Sequence, residues 1–111
     1  MVVIHSNNIY DKGEIKMYTT DLSIVVPCYN EAEALRFFFE ELDRVVFSMP
    51  EYDFEAIYID DGSKDATLEL LREQAAKDKK TRYVSFSRNF GKEAGMLAGL
   101  RSAKGDYAVI M

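Results

Sequence analysis

The chain has 111 residues, 48% hydrophobic and 13% aromatic, which is enough apolar material for one packed core and unlike a disordered segment. Its net charge of -5 argues against a nucleic-acid binder, which needs a basic face to neutralise phosphates. One cysteine, Cys28, precludes an internal disulfide and fits a cytoplasmic setting, and one Cys with one His cannot supply a zinc ligand set.

Residues 1–20 carry little pattern. Ser6-Asn7-Asn8 and Asp11-Lys12-Gly13-Glu14 are turn-prone, and the segment reads as a disordered or leader-like N-terminal tail with His5 as a solvated side chain. It shows none of the zones of a secretory signal, and no apolar run reaches the roughly 18 residues of a membrane span. Met17, four residues before the domain pattern begins at Asp21, is expected to be the natural start.

From Asp21 onward strands and helices alternate. Leu22 to Pro27 is a β-branched apolar run, as expected for a strand buried on both faces. Asn30 followed by Glu33 reads as a capping box for a helix with Leu35, Phe38, Phe39, Leu42, Val45 and Val46 at helical spacing. The run Phe37-Phe38-Phe39 reads as core packing. Pro50 ends that stretch, and Phe54 to Asp60 is a second apolar strand.

Asp65 is placed to cap a helix carrying Leu68, Leu71 and Ala75. Lys77-Asp78-Lys79-Lys80 closes it with cations at the helix C-terminus, where the dipole favours them. Arg82 to Phe86 reads as a third strand. Gly91 to Ala103 is a helix with Gly91, Gly95 and Gly99 at four-residue spacing, suited to close packing on a sheet. Gly105-Asp106 is a turn into a further strand, Tyr107 to Met111. The order predicts an α/β fold with parallel strands and right-handed crossovers.

Ligands in open α/β sheets bind beyond the carboxyl ends of the strands. The polar loops fall there: Cys28-Tyr29-Asn30-Glu31, Asp60-Asp61-Gly62-Ser63 and Ser87-Arg88-Asn89. Carboxylates suit hydrogen bonds to base N–H and ribose hydroxyl groups. Arg88 and Lys92 offer positive charge for phosphates, and Tyr29 a face for the base. For Gly62, Ser63 and Asp65 a plain strand-to-helix turn explains the residues as well as a ligand does. A dinucleotide-binding Gly-x-Gly-x-x-Gly and a P-loop are both missing. The acidic pair follows the second strand, whereas a phosphoacceptor receiver domain has it after the first.

Val26-Pro27-Cys28-Tyr29-Asn30-Glu31 and Asp60-Asp61-Gly62-Ser63-Lys64-Asp65, at this spacing, resemble the V-P-x-Y-N-E and D-D-G-S-x-D motifs of family 2 glycosyltransferases. The resemblance runs from Asp21 to Met111. It implies a GT-A (Rossmann-like) half-domain in which Pro27, Tyr29, Glu31, Asp60 and Asp61 line a nucleoside pocket.

Phe86-Ser87-Arg88-Asn89-Phe90-Gly91-Lys92-Glu93-Ala94 is similar to the polyprenyl-phosphate group, which includes bactoprenol glucosyltransferases and dolichol-phosphate mannosyltransferases. Arg88, Asn89, Gly91 and Lys92 are then expected beside the sugar-diphosphate. The implied reaction is inverting transfer from a UDP- or GDP-sugar to a polyprenyl (undecaprenyl or dolichyl) phosphate, by a parent enzyme at the cytoplasmic face of the membrane. The alternatives are a family 2 enzyme with a saccharide or protein acceptor, or a non-catalytic nucleotide-binding fragment.

In the family a metal-binding Asp-x-Asp follows the strand matched by Tyr107 to Met111, so Mg²⁺ or Mn²⁺ ligands are expected beyond Met111. The chain therefore reads as the donor-nucleotide part, inactive in transfer by itself. An open edge on the Tyr107–Met111 strand is expected to favour self-association.

Overall fold

The structure, a computed structural model, describes residues 2–5 and 20–111. In chain order the elements are β1 (Val2–His5), β2 (Leu22–Cys28), α1 (Ala32–Phe47), β3 (Phe54–Asp60), α2 (Thr67–Lys77), β4 (Thr81–Ser85), α3 (Lys92–Ser102) and β5 (Tyr107–Ile110). They build one five-stranded sheet in the order β1-β5-β2-β3-β4. Strands β5, β2, β3 and β4 run parallel, and β1 joins β5 antiparallel. This is the parallel α/β sheet with flanking helices that a GT-A resemblance implies.

Strands β2 and β3 feed both faces, because side chains alternate along them. Ile24, Val26 and Cys28 of β2 join Ala56 and Tyr58 of β3 under α1 and α2, with Leu35, Phe39, Leu70 and Leu71. Val25, Ile57 and Ile59 point the other way and pack with Ala103, Ala108 and Ile110 beneath α3. Each such fully buried aliphatic side chain contributes about 1.5–3 kcal/mol, so this two-sided burial holds the sheet. Tyr58 meets the rings of Phe38 and Phe39 edge-on at 6.1 and 5.4 Å.

Two expectations about α1 are corrected. Phe39 is buried and Phe38 packs against the core, but Phe37 is 66% exposed and Val45 lies open as well. The helix turns 100° per residue, so three consecutive phenylalanines cannot share one face. On α3, Gly95 lies on Ile59 and Pro27. A Cβ at Gly99 would come within 3.2 Å of Val25 Cβ and closer still to Cγ1, so glycine there permits tight helix-on-sheet packing. Gly91 does not belong to that stripe, since a Cβ there meets nothing within 4 Å.

At the amino ends of the strands lies a buried polar knot that the sequence did not announce. Ser23 donates to Glu55 Oε2 at 2.5 Å, and Arg82 donates to Glu55 Oε1 through Nε (3.1 Å) and Nη2 (2.7 Å). Lys104 N–H reaches Glu55 Oε2 at 2.6 Å, and Gly105 N–H reaches Ser23 Oγ at 2.8 Å. The knot ties the α3–β5 turn to β2 and β3 and so sets where β5 enters the sheet.

The edge of β5 is also corrected. Val2–His5, read from the sequence within the tail, pairs along it with Val2 opposite Ile110 and His5 opposite Tyr107. An apolar β-branched run is a natural partner for an otherwise open strand edge, so the edge expected to be open is paired within the chain. Met17 and the turn-prone stretches around it lie outside the described residues.

Candidate functional site

Three loops converge at the carboxyl ends of β2, β3 and β4, and the middle one holds the other two. After β2, Asn30 sits in the left-handed region at φ 53°, a conformation that asparagine tolerates better than most residues. Its N–H donates to Ser63 Oγ at 2.9 Å, and its Oδ1 accepts Lys64 N–H at 2.8 Å. Glu31 N–H donates to Thr67 Oγ1 at 2.9 Å, and Ala32 N–H to Asp65 Oδ2 at 3.2 Å.

These bonds overturn the expected capping box. Asn30 makes no cap for α1, and the helix start carries no side-chain cap of its own. The acceptor for Ala32 arrives from the facing loop. Asp65 also accepts Thr67 N–H at 2.9 Å and the Thr67 hydroxyl at 2.5 Å through Oδ1. One carboxylate thus serves the first turns of two helices, where negative charge is favoured. The Thr67 hydroxyl bond, ahead of the backbone N–H bonds from Thr67 and Ala32, holds the Asp65 carboxyl below its ordinary range.

On the other side, Asp61 accepts Phe90 N–H at 2.7 Å through Oδ1 and Gly91 N–H at 3.1 Å through Oδ2. Gly62 lies directly against the backbone of Arg88 and Asn89. The β4–α3 loop is therefore laid onto the β3–α2 turn. Within it Arg88 stacks on the Phe90 ring, 4.5 Å from its centroid, and Phe86 meets that ring edge-on at 5.5 Å.

Between the outer loops opens a cleft of about 390 Å³ lined by Pro27, Cys28, Tyr29, Glu31, Asp61, Asn89, Gly91, Lys92 and Met111. Of the residues singled out from sequence, Pro27, Tyr29, Glu31, Asp61, Asn89, Gly91 and Lys92 meet there. Asp60 and Arg88 do not line it. Asp60 is 2% exposed beneath the turn, where its Oδ1 accepts Ser63 N–H at 3.2 Å, while Arg88 is exposed on the Phe90 ring.

Chemically the cleft pairs acceptors with one cation. Glu31 and Asp61 bring carboxylates, Lys92 an ammonium, and Tyr29, 43% exposed, an aromatic face at the mouth. Cys28 lines the cleft but is only 3% exposed. Burial, with smaller contributions from Glu31 and Asp60, pushes its thiol from 9.0 up to about 12. A divalent metal does not fit the residues present. Asp61 spends both oxygens on backbone amides, Asp60 is buried under its turn, and among the described residues no three His, Cys, Asp or Glu side chains group as metal ligands. Nor is any helix among them long and apolar enough to cross a membrane.

Sequence reasoning missed the bridging roles of Ser63, Thr67 and Lys64 N–H. The available signal was the Asp-x-Thr spacing of Asp65 and Thr67, a common local turn pattern. Its partner loop, more than thirty residues away, carries no local trace of the pairing.

Comparison with known proteins bears on the same segment. The family model described as glycosyl transferase family 2 matches residues 23–111. A putative glycosyltransferase, CsbB, of Bacillus subtilis (strain 168) is 41% identical over 90 residues, covering 81% of this chain and 27% of that protein. A prophage bactoprenol glucosyl transferase homolog of Escherichia coli (strain K12) is 42% identical over 88 residues, 79% of this chain and 28% of that one. The bactoprenol glucosyl transferase of Shigella phage SfV is 41% identical over the same length and shares. The chain thus spans between 27% and 28% of the length of these curated relatives.

Proposed function

Because the chain belongs to glycosyl transferase family 2, we propose that its cleft binds the nucleoside diphosphate of a UDP- or GDP-sugar. Residues 21–111 would serve as the donor-nucleotide part of an inverting enzyme that passes the sugar to a polyprenyl phosphate at the cytoplasmic membrane face. The single observation that carries the donor reading is the convergence of three strand-end loops on one cleft that holds acceptors, an aromatic face and a cation together. The acceptor reading leans on the printed names of the bactoprenol relatives and on the Ser87–Ala94 tract, part of which forms a cleft wall.

Each lining residue then has a task its chemistry allows. Glu31 accepts from base N–H or ribose hydroxyl groups, and Tyr29 lies along the base. Pro27 closes the pocket floor. Asn89 donates to the diphosphate, Gly91 lets it approach closely, and Lys92 neutralises part of its charge. Asp60 supports the turn from below. The Mg²⁺ or Mn²⁺ that family 2 enzymes commonly use finds no ligand set among the described residues.

Calorimetric titration of the chain with UDP and with GDP tests the reading. One of the two is expected to bind, and Glu31→Gln and Lys92→Ala are each expected to weaken it by roughly tenfold or more, the worth of a charge-assisted hydrogen bond. Binding of neither nucleotide, or binding indifferent to both substitutions, would remove the cleft from this role.

A further inference from the structure

Thr67, the first residue of α2, is fully buried and stands outside the cleft lining. Its hydroxyl nonetheless holds a cleft residue 36 positions away, since Glu31 N–H donates to Thr67 Oγ1 at 2.9 Å. A threonine hydroxyl has one hydrogen to give and lone pairs to receive. Here the hydrogen is committed to Asp65 Oδ1 at 2.5 Å, which turns the lone pairs toward Glu31 N–H. The second oxygen of the same carboxylate, Oδ2, takes Ala32 N–H at 3.2 Å. The branched Cβ of threonine also restricts rotation about χ1, so the acceptor keeps its place.

Glu31 is thereby held at both of its backbone groups. Its N–H is fixed by Thr67, and its carbonyl oxygen accepts Leu35 N–H at 2.9 Å and Ala34 N–H at 3.1 Å, which joins it to the first turn of α1. Only side-chain torsions remain to carry its carboxylate along the cleft wall. We infer that Thr67 is a positioning residue for the donor site: its hydroxyl, turned by Asp65, fixes the Glu31 main chain and so aims the Glu31 carboxylate. The consequence for binding rests on the donor-nucleotide reading above, whereas the anchoring of the loop does not.

Backbone amide hydrogen exchange, followed by NMR on the 111-residue chain, reads the anchor. The Glu31 amide of the wild type is expected to exchange more than about tenfold slower than an unstructured amide. Thr67→Val keeps the shape and removes the hydroxyl. It is expected to speed Glu31 exchange by roughly tenfold or more, with the core amide of Ile57 still protected, and Thr67→Ser is expected to restore most of the protection. An unprotected Glu31 amide in the wild type, or unchanged exchange in Thr67→Val, would overturn the inference. The wild-type measurement decides even where Thr67→Val does not fold.

Calorimetric titration with UDP and GDP reads the consequence. Thr67→Val is expected to weaken the nucleotide that binds by roughly tenfold, with recovery in Thr67→Ser. In a Glu31→Gln background the same substitution is expected to cost less than about threefold, because both changes act through one carboxylate. Equal losses in the two backgrounds would reduce Thr67 to a support of the fold and overturn its positioning role. If neither nucleotide binds the wild type, the donor reading falls, while a protected Glu31 amide that Thr67→Val releases still supports the anchor.

Discussion

Gly62 lies against the backbone of Arg88, so close that a Cβ on Gly62 would stand 2.8 Å from Arg88 Cα and nearer still to its carbonyl carbon. Gly62 also sits at φ 73°, where side chains are disfavoured. Gly62→Ala combines backbone strain with overlap against atoms that cannot rotate away, and is expected to cost about 2–5 kcal/mol. Gly91→Ala, with nothing within 4 Å of its Cβ, carries the backbone cost alone, about 1–3 kcal/mol. Urea unfolding of the two variants checks the ranking, and a larger loss at Gly91 would contradict the packing described.

Asp65 joins the starts of α1 and α2 through Ala32 and Thr67. Its carboxyl is held below the ordinary value of 3.8, chiefly by the Thr67 hydroxyl. The unfolded chain therefore takes up this proton at a higher pH than the folded chain does. The stabilisation is complete above 3.8 and is lost as pH falls through the lowered folded value. Thermal unfolding from pH 7 down to pH 2 should show Asp65→Asn less stable at neutral pH, with the difference closing in acid. A constant difference across that range would mean the carboxylate charge is not what matters.

Cys28 reports on the cleft floor. With its thiol raised from 9.0 to about 12 by burial, the folded chain should alkylate slowly at pH 8 and at a normal rate in urea. The same shift makes stability decline as pH rises from 9.0 towards about 12, because the unfolded thiol ionises first. Iodoacetamide labelling of the folded chain with a midpoint near 9 would show the thiol to be solvated.

Glu55 gathers donors from Ser23, Arg82 and Lys104 while 7% exposed. Glu55→Ala removes the acceptor and leaves Arg82 without its partner carboxylate, so a loss of about 3–5 kcal/mol is expected. Ser23→Ala in the same background should add less than it does alone, since both act in one network. Additive losses by chemical unfolding would show that the two side chains act independently.

What the sequence by itself determined is what short-range pattern and chemistry can carry. β-branched runs from Leu22, Phe54 and Tyr107 placed the parallel strands, and turn residues placed the loops at their carboxyl ends. The residue types in those loops named most of the cleft lining. Tertiary structure decided how the loops use those residues. Local spacing made Asn30 a helix cap, but the facing loop offers Lys64 N–H and Ser63 Oγ, and Asn30 binds there instead. Asp60 and Asp61 are neighbours in sequence, yet strand alternation turns them apart, one beneath the turn and one into the cleft. The Glu55 knot and the pairing of Val2–His5 with β5 join segments tens of residues apart. No local propensity encodes such contacts, because each exists only once the sheet has brought its two partners together.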